Sequence, residues 1–321
     1  MFLNFGKLTK IARLPYFYNK TRFCFSEAVN NKTHIVDNKF LDFTGRIPDV
    51  EVFTILVHWP FDFPTVLELQ RISSYLLLAD GAANFYYRSI KEFGLKDVFL
   101  PNAVIGDFDS SRSDALVYFE SLGVSVKKDH NQNNTDLEKC MSALIHWIDT
   151  SNPLDPNKSY KLVIGGGLGG RADHVFSNIS ICQKYTQYFA KKHDSFSIML
   201  IDNNSIGTCL LPGKTIYKRS KRFELPTGCG IFPLNNEARV TTKGFRWNLT
   251  EECPLLKFGT YASSSNEMIE DSVEINSDSP VFFTTTTILH EGYKKLKGEL
   301  TFKGIKNQNG QSGKKNVILF K

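Results

Sequence analysis

Five apolar runs divide the first two thirds of the chain, and a stretch with helical spacing separates each from the next: EVFTILVHW (51–59), YLLLAD (75–80), AVIG (103–106), KLVIGG (161–166) and FSIMLID (196–202). VSVKK (124–128) adds a weaker strand. Uniformly apolar strands are covered on both faces, and strands that alternate with helices join in parallel through crossovers. The intervening segments TVLELQRIS (65–73), AANFYYRSIKEF (82–93), SDALVYFESLG (113–123) and TDLEKCMSALIHWI (135–148) read as helices, as does the stretch after Arg171. Gly123 reads as a stop and Thr135 as an N-cap. Residues 49–204 are therefore expected to form an α/β/α domain around a parallel sheet.

After residue 205 the pattern changes. GTCLLPGKTIYKR, GCGIFPL, EARVTTKGFRWNL, KFGTYASSSN, DSVEINSD and PVFFTTTTIL are short β-branched or aromatic runs broken by turn residues. This predicts an all-β module, a β-sandwich, over 205–290. The fold class is thus α/β plus all-β, with a basic N-terminal extension (1–48) and a basic C-terminal tail (291–321).

The formal charge of +6 suggests a nucleic-acid binder until it is located. Residues 1–26 carry +5 and the tail 291–321 carries +6, which leaves −5 for residues 27–290. The body is mildly acidic, so no basic groove and no nucleic-acid partner are expected. No apolar run approaches the ~20 residues a membrane helix needs, so no membrane partner is expected either. The six cysteines are scattered without a C-x-x-C pair, as in a reducing compartment. A cytoplasmic location is expected. The first 14 residues do space apolar and basic side chains like a mitochondrial presequence, but Pro15 stops any helix early.

Four acids fall where strands end or helices begin: Asp80 after LLLA, Asp107 and Asp109 after AVIG, and Asp136 inside the helix after the NQNN loop. In an open α/β sheet the carboxyl ends of the strands form the ligand crevice. Acids from separate strand–helix units converging there suit a hard cation, and Mg²⁺ takes a few carboxylates together with substrate phosphates. Taken singly, Asp80 could belong to a turn and Asp109 to a helix cap; one cap does not require both Asp107 and Asp109.

GGGLGGRADH (165–174) follows a strand and opens a helix. Its backbone N–H groups and the helix dipole suit an anion, and Arg171 suits phosphate. Gly165, Gly167 and Gly170 also satisfy G-x-G-x-x-G, so a nicotinamide-dependent oxidoreductase must be weighed. Against it, the motif comes late in strand order and Asp202 ends the next strand too far on. No Walker A loop is present, since position 208 is Thr. Phosphates and Mg²⁺ without a P-loop fit phosphoryl or pyrophosphoryl transfer.

The set DGAAN (80–84), GDFDS (106–110), NTD (134–136), GGLGGRADH (166–174), GFRWNL (244–249) and SSSN (263–266) resembles the thiamine pyrophosphokinase family, in matching order over residues 50–288. The resemblance implies a homodimer with active sites between subunits. The reaction it implies is transfer of a pyrophosphoryl group from ATP to thiamine, releasing AMP. Asp80, Asp107, Asp109 and Asp136 then correspond to the carboxylates that hold Mg²⁺ and the ATP phosphates. Asn84, Gly166, Gly167, Gly169, Gly170, Arg171 and Asp173 correspond to the nucleotide site, and Trp247, Ser263, Ser265 and Asn266 to the thiamine pocket. An indole suits a cationic aromatic ligand, although a sandwich tryptophan is more often plain core. Many relatives carry D-Q-D-x-T-D where this chain has Asn131-Gln132-Asn133-Asn134-Thr135-Asp136, so Asp136 is kept as the required acid. Asp107 or Asp136 is the candidate acceptor of the thiamine hydroxyl proton. A non-catalytic nucleotide- or thiamine-binding protein and a kinase giving the monophosphate are the remaining alternatives.

Overall fold

The computed structural model describes residues 33–42, 47–57, 63–94 and 100–288. The basic segments 1–26 and 291–321, and with them the presequence-like spacing, lie outside the described residues. None of the described helices is long and apolar enough to cross a membrane.

The expected alternation is present. Strands β2 (Val50–Leu56), β3 (Ser73–Ala79), β4 (Ala103–Gly106), β5 (Ser125–Lys128), β6 (Ser159–Gly165) and β7 (Phe196–Ile201) pair in parallel in the order β7-β6-β2-β3-β4-β5. Between them run α1 (Phe63–Ile72), α2 (Ala82–Phe93), α3 (Ser113–Ser121), α4 (Asp136–Ser151) and α5 (Ala172–Ala190). Val66, Leu69, Tyr86, Ile90 and Phe119 of the first three helices pack on one face of the sheet. Leu137, Leu144, Ile181 and Phe189 of α4 and α5 pack on the other. The apolar runs are therefore covered on both sides, as their composition requires. Thr135 caps α4 by accepting a hydrogen bond from Glu138 N at 3.2 Å.

The remaining strands are β1 (His34–Asp37), β8 (Ser205–Leu210), β9 (Gly213–Lys218), β10 (Thr227–Pro233), β11 (Val240–Lys243), β12 (Ser263–Glu267), β13 (Ser272–Ser277) and β14 (Val281–Thr286). A four-stranded sheet, β1-β9-β13-β11, shares a core with the strands of β12-β10-β14-β8. Tyr217, Val273 and Ile275 come from the first sheet, and Ile231, Val281 and Phe283 from the second. The expected sandwich is there, but its second sheet does not end at residue 204. β7 and β8 form an antiparallel hairpin (Leu200↔Gly207, Ile201↔Ile206), so one ten-stranded sheet runs through both parts.

One expectation is corrected. Residues 34–42, placed by the sequence with the basic extension, are built into both cores. β1 pairs in parallel with β9 from His34↔Thr215 to Asp37↔Lys218. A 3₁₀ turn, Lys39–Asp42, buries Phe40 and Leu41 against the core beneath α1–α3. Asn38 donates to Tyr217 Oη at 2.7 Å and to Glu224 Oε1 at 2.9 Å. The fully buried Glu224 also accepts from Tyr217 Oη, Ser220 N and Thr285 Oγ1. A four-residue strand whose partner is some 180 residues away leaves almost no local periodicity to read.

Candidate active site

Because β2, β3, β4 and β6 are parallel, the loops after β3, β4 and β6 open on one edge of the sheet. Asp80 directly follows β3 with φ +40°, a region that residues other than glycine seldom occupy. It is 2% exposed. Its carboxylate accepts from Ser111 Oγ at 2.6 Å and Ser110 N at 3.2 Å. Burial raises its pKa above the ordinary carboxylate value, and the charge of Asp136 adds to this, against the bonds from Ser111 and Ser110.

Asp107 and Asp109 do meet, though not by extended alternation. Phe108 between them has φ +65°, so the chain turns and Asp109 N donates to Asp107 Oδ1 at 3.2 Å. Asp107 Oδ2 accepts from Gln132 Nε2 at 2.9 Å and Lys139 Nζ at 3.3 Å. Partial burial alone would raise the Asp107 pKa; the bonds from Gln132, Asp109 N and Lys139 outweigh it and hold it below the ordinary value. Asp109 is exposed and accepts from Ser110 Oγ at 2.9 Å. It does not cap α3, whose N-cap position is Arg112. One oxygen each from Asp80, Asp107 and Asp109 lies within 4.8 Å of the others. Three convergent carboxylate oxygens without nitrogen or sulfur fit a hard divalent cation.

Asp136 stands outside that trio. Its Oδ1 accepts from Lys139 Nζ at 2.9 Å, so Lys139 links Asp136 to Asp107. Sequence reading passed over Lys139, which is 3% exposed. A signal existed: a cation near a helix N-terminus opposes the dipole unless anions face it. Gln132 is the residue of the NQNN loop that reaches Asp107, while Asn131 Oδ1 caps the loop by accepting from Asn133 N at 3.0 Å. Asn84, assigned to the nucleotide, is engaged with the chain itself. Its Nδ2 donates to Ser110 O and its Oδ1 accepts from Arg112 N, both at 2.7 Å, pinning the loop that carries Asp109.

At the end of β6, Gly166 (φ +82°) and Gly170 (φ +84°) take conformations that favour glycine. Gly167 packs closely: a Cβ there would stand 3.1 Å from Leu200 and 3.2 Å from Ile164. Its carbonyl accepts from the buried Asn178 Nδ2 at 2.9 Å. Gly169 N donates to Gly166 O at 3.4 Å, closing the turn before α5. Arg171 and Asp173 form an exposed two-bond pair at 3.1 and 2.6 Å, in which Arg171 lowers the Asp173 pKa.

Trp247 is 60% exposed and is not core. With Leu249, Tyr261, Ser263, Ser265 and Asn266 it lines an open cleft of about 480 Å³. Asn266 holds the tryptophan's backbone, accepting from Trp247 N at 3.3 Å and donating to Trp247 O at 2.8 Å. Ser263 is buried and Ser265 exposed, the latter at φ +58°. Arg246, paired with Glu267 at 2.7 Å, sets its guanidinium 5.8 Å from the indole centre.

Two thiamin pyrophosphokinase family models match separate stretches of the chain. The family model "Thiamin pyrophosphokinase, catalytic domain" matches residues 66–193, and "Thiamin pyrophosphokinase, vitamin B1 binding domain" matches residues 215–282. Thiamine pyrophosphokinase 1 of Oryza sativa subsp. japonica is 32% identical over 217 residues, covering 64% of this chain and 76% of the relative. Its Arabidopsis thaliana counterpart is 29% identical over 224 residues, covering 65% and 76%. The solved thiamin pyrophosphokinase from Candida albicans superposes with a TM-score of 0.64 at 18% identity, covering 79% of this chain and 93% of that one. The yeast structure gives 0.64 at 19%, covering 84% and 95%. These likenesses support neither a nicotinamide-dependent oxidoreductase nor a non-catalytic binding protein. The chain belongs to the thiamine pyrophosphokinase family.

Proposed function

We propose that this protein transfers a pyrophosphoryl group from ATP to the hydroxyethyl oxygen of thiamine, giving thiamine diphosphate and AMP. The observation that carries the reading is the meeting of Asp80, Asp107 and Asp109 within 4.8 Å on the sheet edge that also bears the glycine turn. Residues 49–204 serve as the nucleotide-binding and catalytic part and residues 205–290 as the thiamine-binding part, joined by their common sheet.

Asp80, Asp107 and Asp109 would hold Mg²⁺, which when bound neutralises charge on the polyphosphate. The turn Gly166–Gly170 and the N-terminus of α5 present N–H groups to phosphate oxygens. Arg171, paired at rest with its neighbour Asp173, exchanges that carboxylate for phosphate. Asp107, with its lowered pKa, serves as an anion and is a weak base. Trp247 stacks on the cationic thiamine, while Ser263 and Ser265 supply hydroxyls in the same cleft.

The cleft lies beside β12, and six strands (β10, β14, β8, β7, β6 and β2) separate β12 from the Asp80 strand β3. At about 4.8 Å per step this is roughly 34 Å measured along the sheet, a spacing that argues against one thiamine touching both. On this reading the cleft that completes each set of acids comes from a second copy of the chain, and the working unit is a homodimer.

The test is product analysis with thiamine, ATP and Mg²⁺, using Asp107→Asn and Asp109→Asn as controls. Thiamine diphosphate with equimolar AMP is expected, and each variant should lose at least about 100-fold in rate. Thiamine monophosphate with ADP would overturn the reaction, and full activity in Asp109→Asn would remove the acids from it.

A further inference from the structure

We propose that Lys139 is a built-in counter-cation of the acid site, weakening its hold on a bare divalent cation and favouring one that arrives with a polyphosphate. The inference rests on the assignment of Asp80, Asp107 and Asp109 as the cation's ligands. It says what a buried residue outside that assignment does for them.

The lysine's placement is otherwise hard to account for. It is 3% exposed and sits in the first turns of α4, where both desolvation and the helix dipole disfavour a cation. Two contacts compensate: Nζ stands 2.9 Å from Asp136 Oδ1 and 3.3 Å from Asp107 Oδ2. Asp136 is outside the three-oxygen cluster, so its carboxylate anchors the ammonium rather than the divalent cation. The ammonium in turn rests on one of the ligand carboxylates. A free divalent cation entering beside Asp107 meets that positive charge at close range and is repelled. A cation already bound to a polyphosphate brings excess negative charge, which the same ammonium attracts. Of the three donors of an ammonium, two serve the carboxylates of Asp107 and Asp136. Lys139 thus acts as a positioning residue for Asp107 and as a selector of the form in which the cation is accepted.

The test is titration of the full chain with Mn²⁺ alone, without nucleotide, followed by the electron paramagnetic resonance of free Mn²⁺. Lys139→Met keeps the length of the side chain and removes its charge. It should bind Mn²⁺ at least about tenfold more tightly than the parent while turning over Mg-ATP and thiamine far more slowly. Lys139→Arg keeps the charge and should bind Mn²⁺ within about threefold of the parent. Lys139→Met binding no more tightly than the parent would overturn the proposal. Should that variant not fold, Asp136→Asn decides. Affinity within about threefold of the parent supports Asp136 as the anchor of Lys139, and a loss of about tenfold or more makes it a ligand and overturns the proposal. Asp109→Asn separates this inference from its premise. If it abolishes Mn²⁺ binding, the cation site stands whatever the Lys139 variants do; if it does not, the premise itself fails.

Discussion

Gly106 and Asp80 lie so close that the missing side chain of the glycine is part of the site: a Cβ on Gly106 would stand 2.6 Å from the Cβ of Asp80 and 3.0 Å from its Cα. Asp80 is fixed from the other side by Ser111 and Ser110, and its backbone N–H is bound to Ile105 O at 2.8 Å. It has nowhere to retreat. Gly106→Ala should therefore cost about 1–3 kcal/mol of stability through overpacking. It should also displace Asp80, weakening Mn²⁺ binding about tenfold or more. Thermal melting and Mn²⁺ titration check the two effects separately.

Trp247 offers an exposed indole face in the cleft, and its burial contributes little to the fold. Trp247→Ala should raise the KM for thiamine between about 2- and 30-fold, the range of a cation–π contact. The KM for ATP should stay within about twofold and the melting temperature should hardly move. Equal losses in both substrates would contradict the assignment, and steady-state kinetics with each substrate varied will read it.

Glu224 ties residues 34–42 to the β part. Burial raises its pKa above the ordinary carboxylate value, against the lowering bonds from Tyr217, Ser220, Asn38 and Thr285. For an acid with a raised folded-state pKa, the stabilising contribution is complete below the unfolded value and is lost as pH rises through the folded one. Relative to Glu224→Gln, which does not titrate, the parent should lose stability as pH rises through that window, as urea unfolding on either side of it would show. Glu224→Leu strips the acceptor from four donors. At about 1–3 kcal/mol for each one left unpaired, the loss should be several kcal/mol at any pH.

The parallel sheet was legible because burial on both faces forces uniformly apolar strands, and KLVIGG and FSIMLID have no other comfortable environment. Asp107 and Asp109 were legible as a pair, but their geometry was not. The left-handed backbone of Phe108 that brings them together leaves no mark in residue type. Asp136 was legible as an acid of the site and illegible as the partner of Lys139, since an acid and a lysine three apart on a helix look like an ordinary surface pair. Asn84 carried the motif, but its hold on the loop through Ser110 O and Arg112 N left no mark in the sequence. Trp247 could be raised from the sequence, but only its exposure takes it out of the core. The strand His34–Asp37 and the sheet's passage across β7 and β8 depend on pairings that no local pattern encodes.

If the acids of one chain and the cleft of another make one catalytic site, damage to the two is complemented in a mixed dimer. Co-expressing Asp109→Asn with Trp247→Arg, which sets a cation where the cationic thiamine would lie, and measuring thiamine diphosphate and AMP reads this out. Each mixed dimer would hold one intact site and one doubly damaged site. With random pairing the rate should recover to about a quarter of the parental one, well above either variant alone. A mixture no more active than the sum of its parts would contradict it.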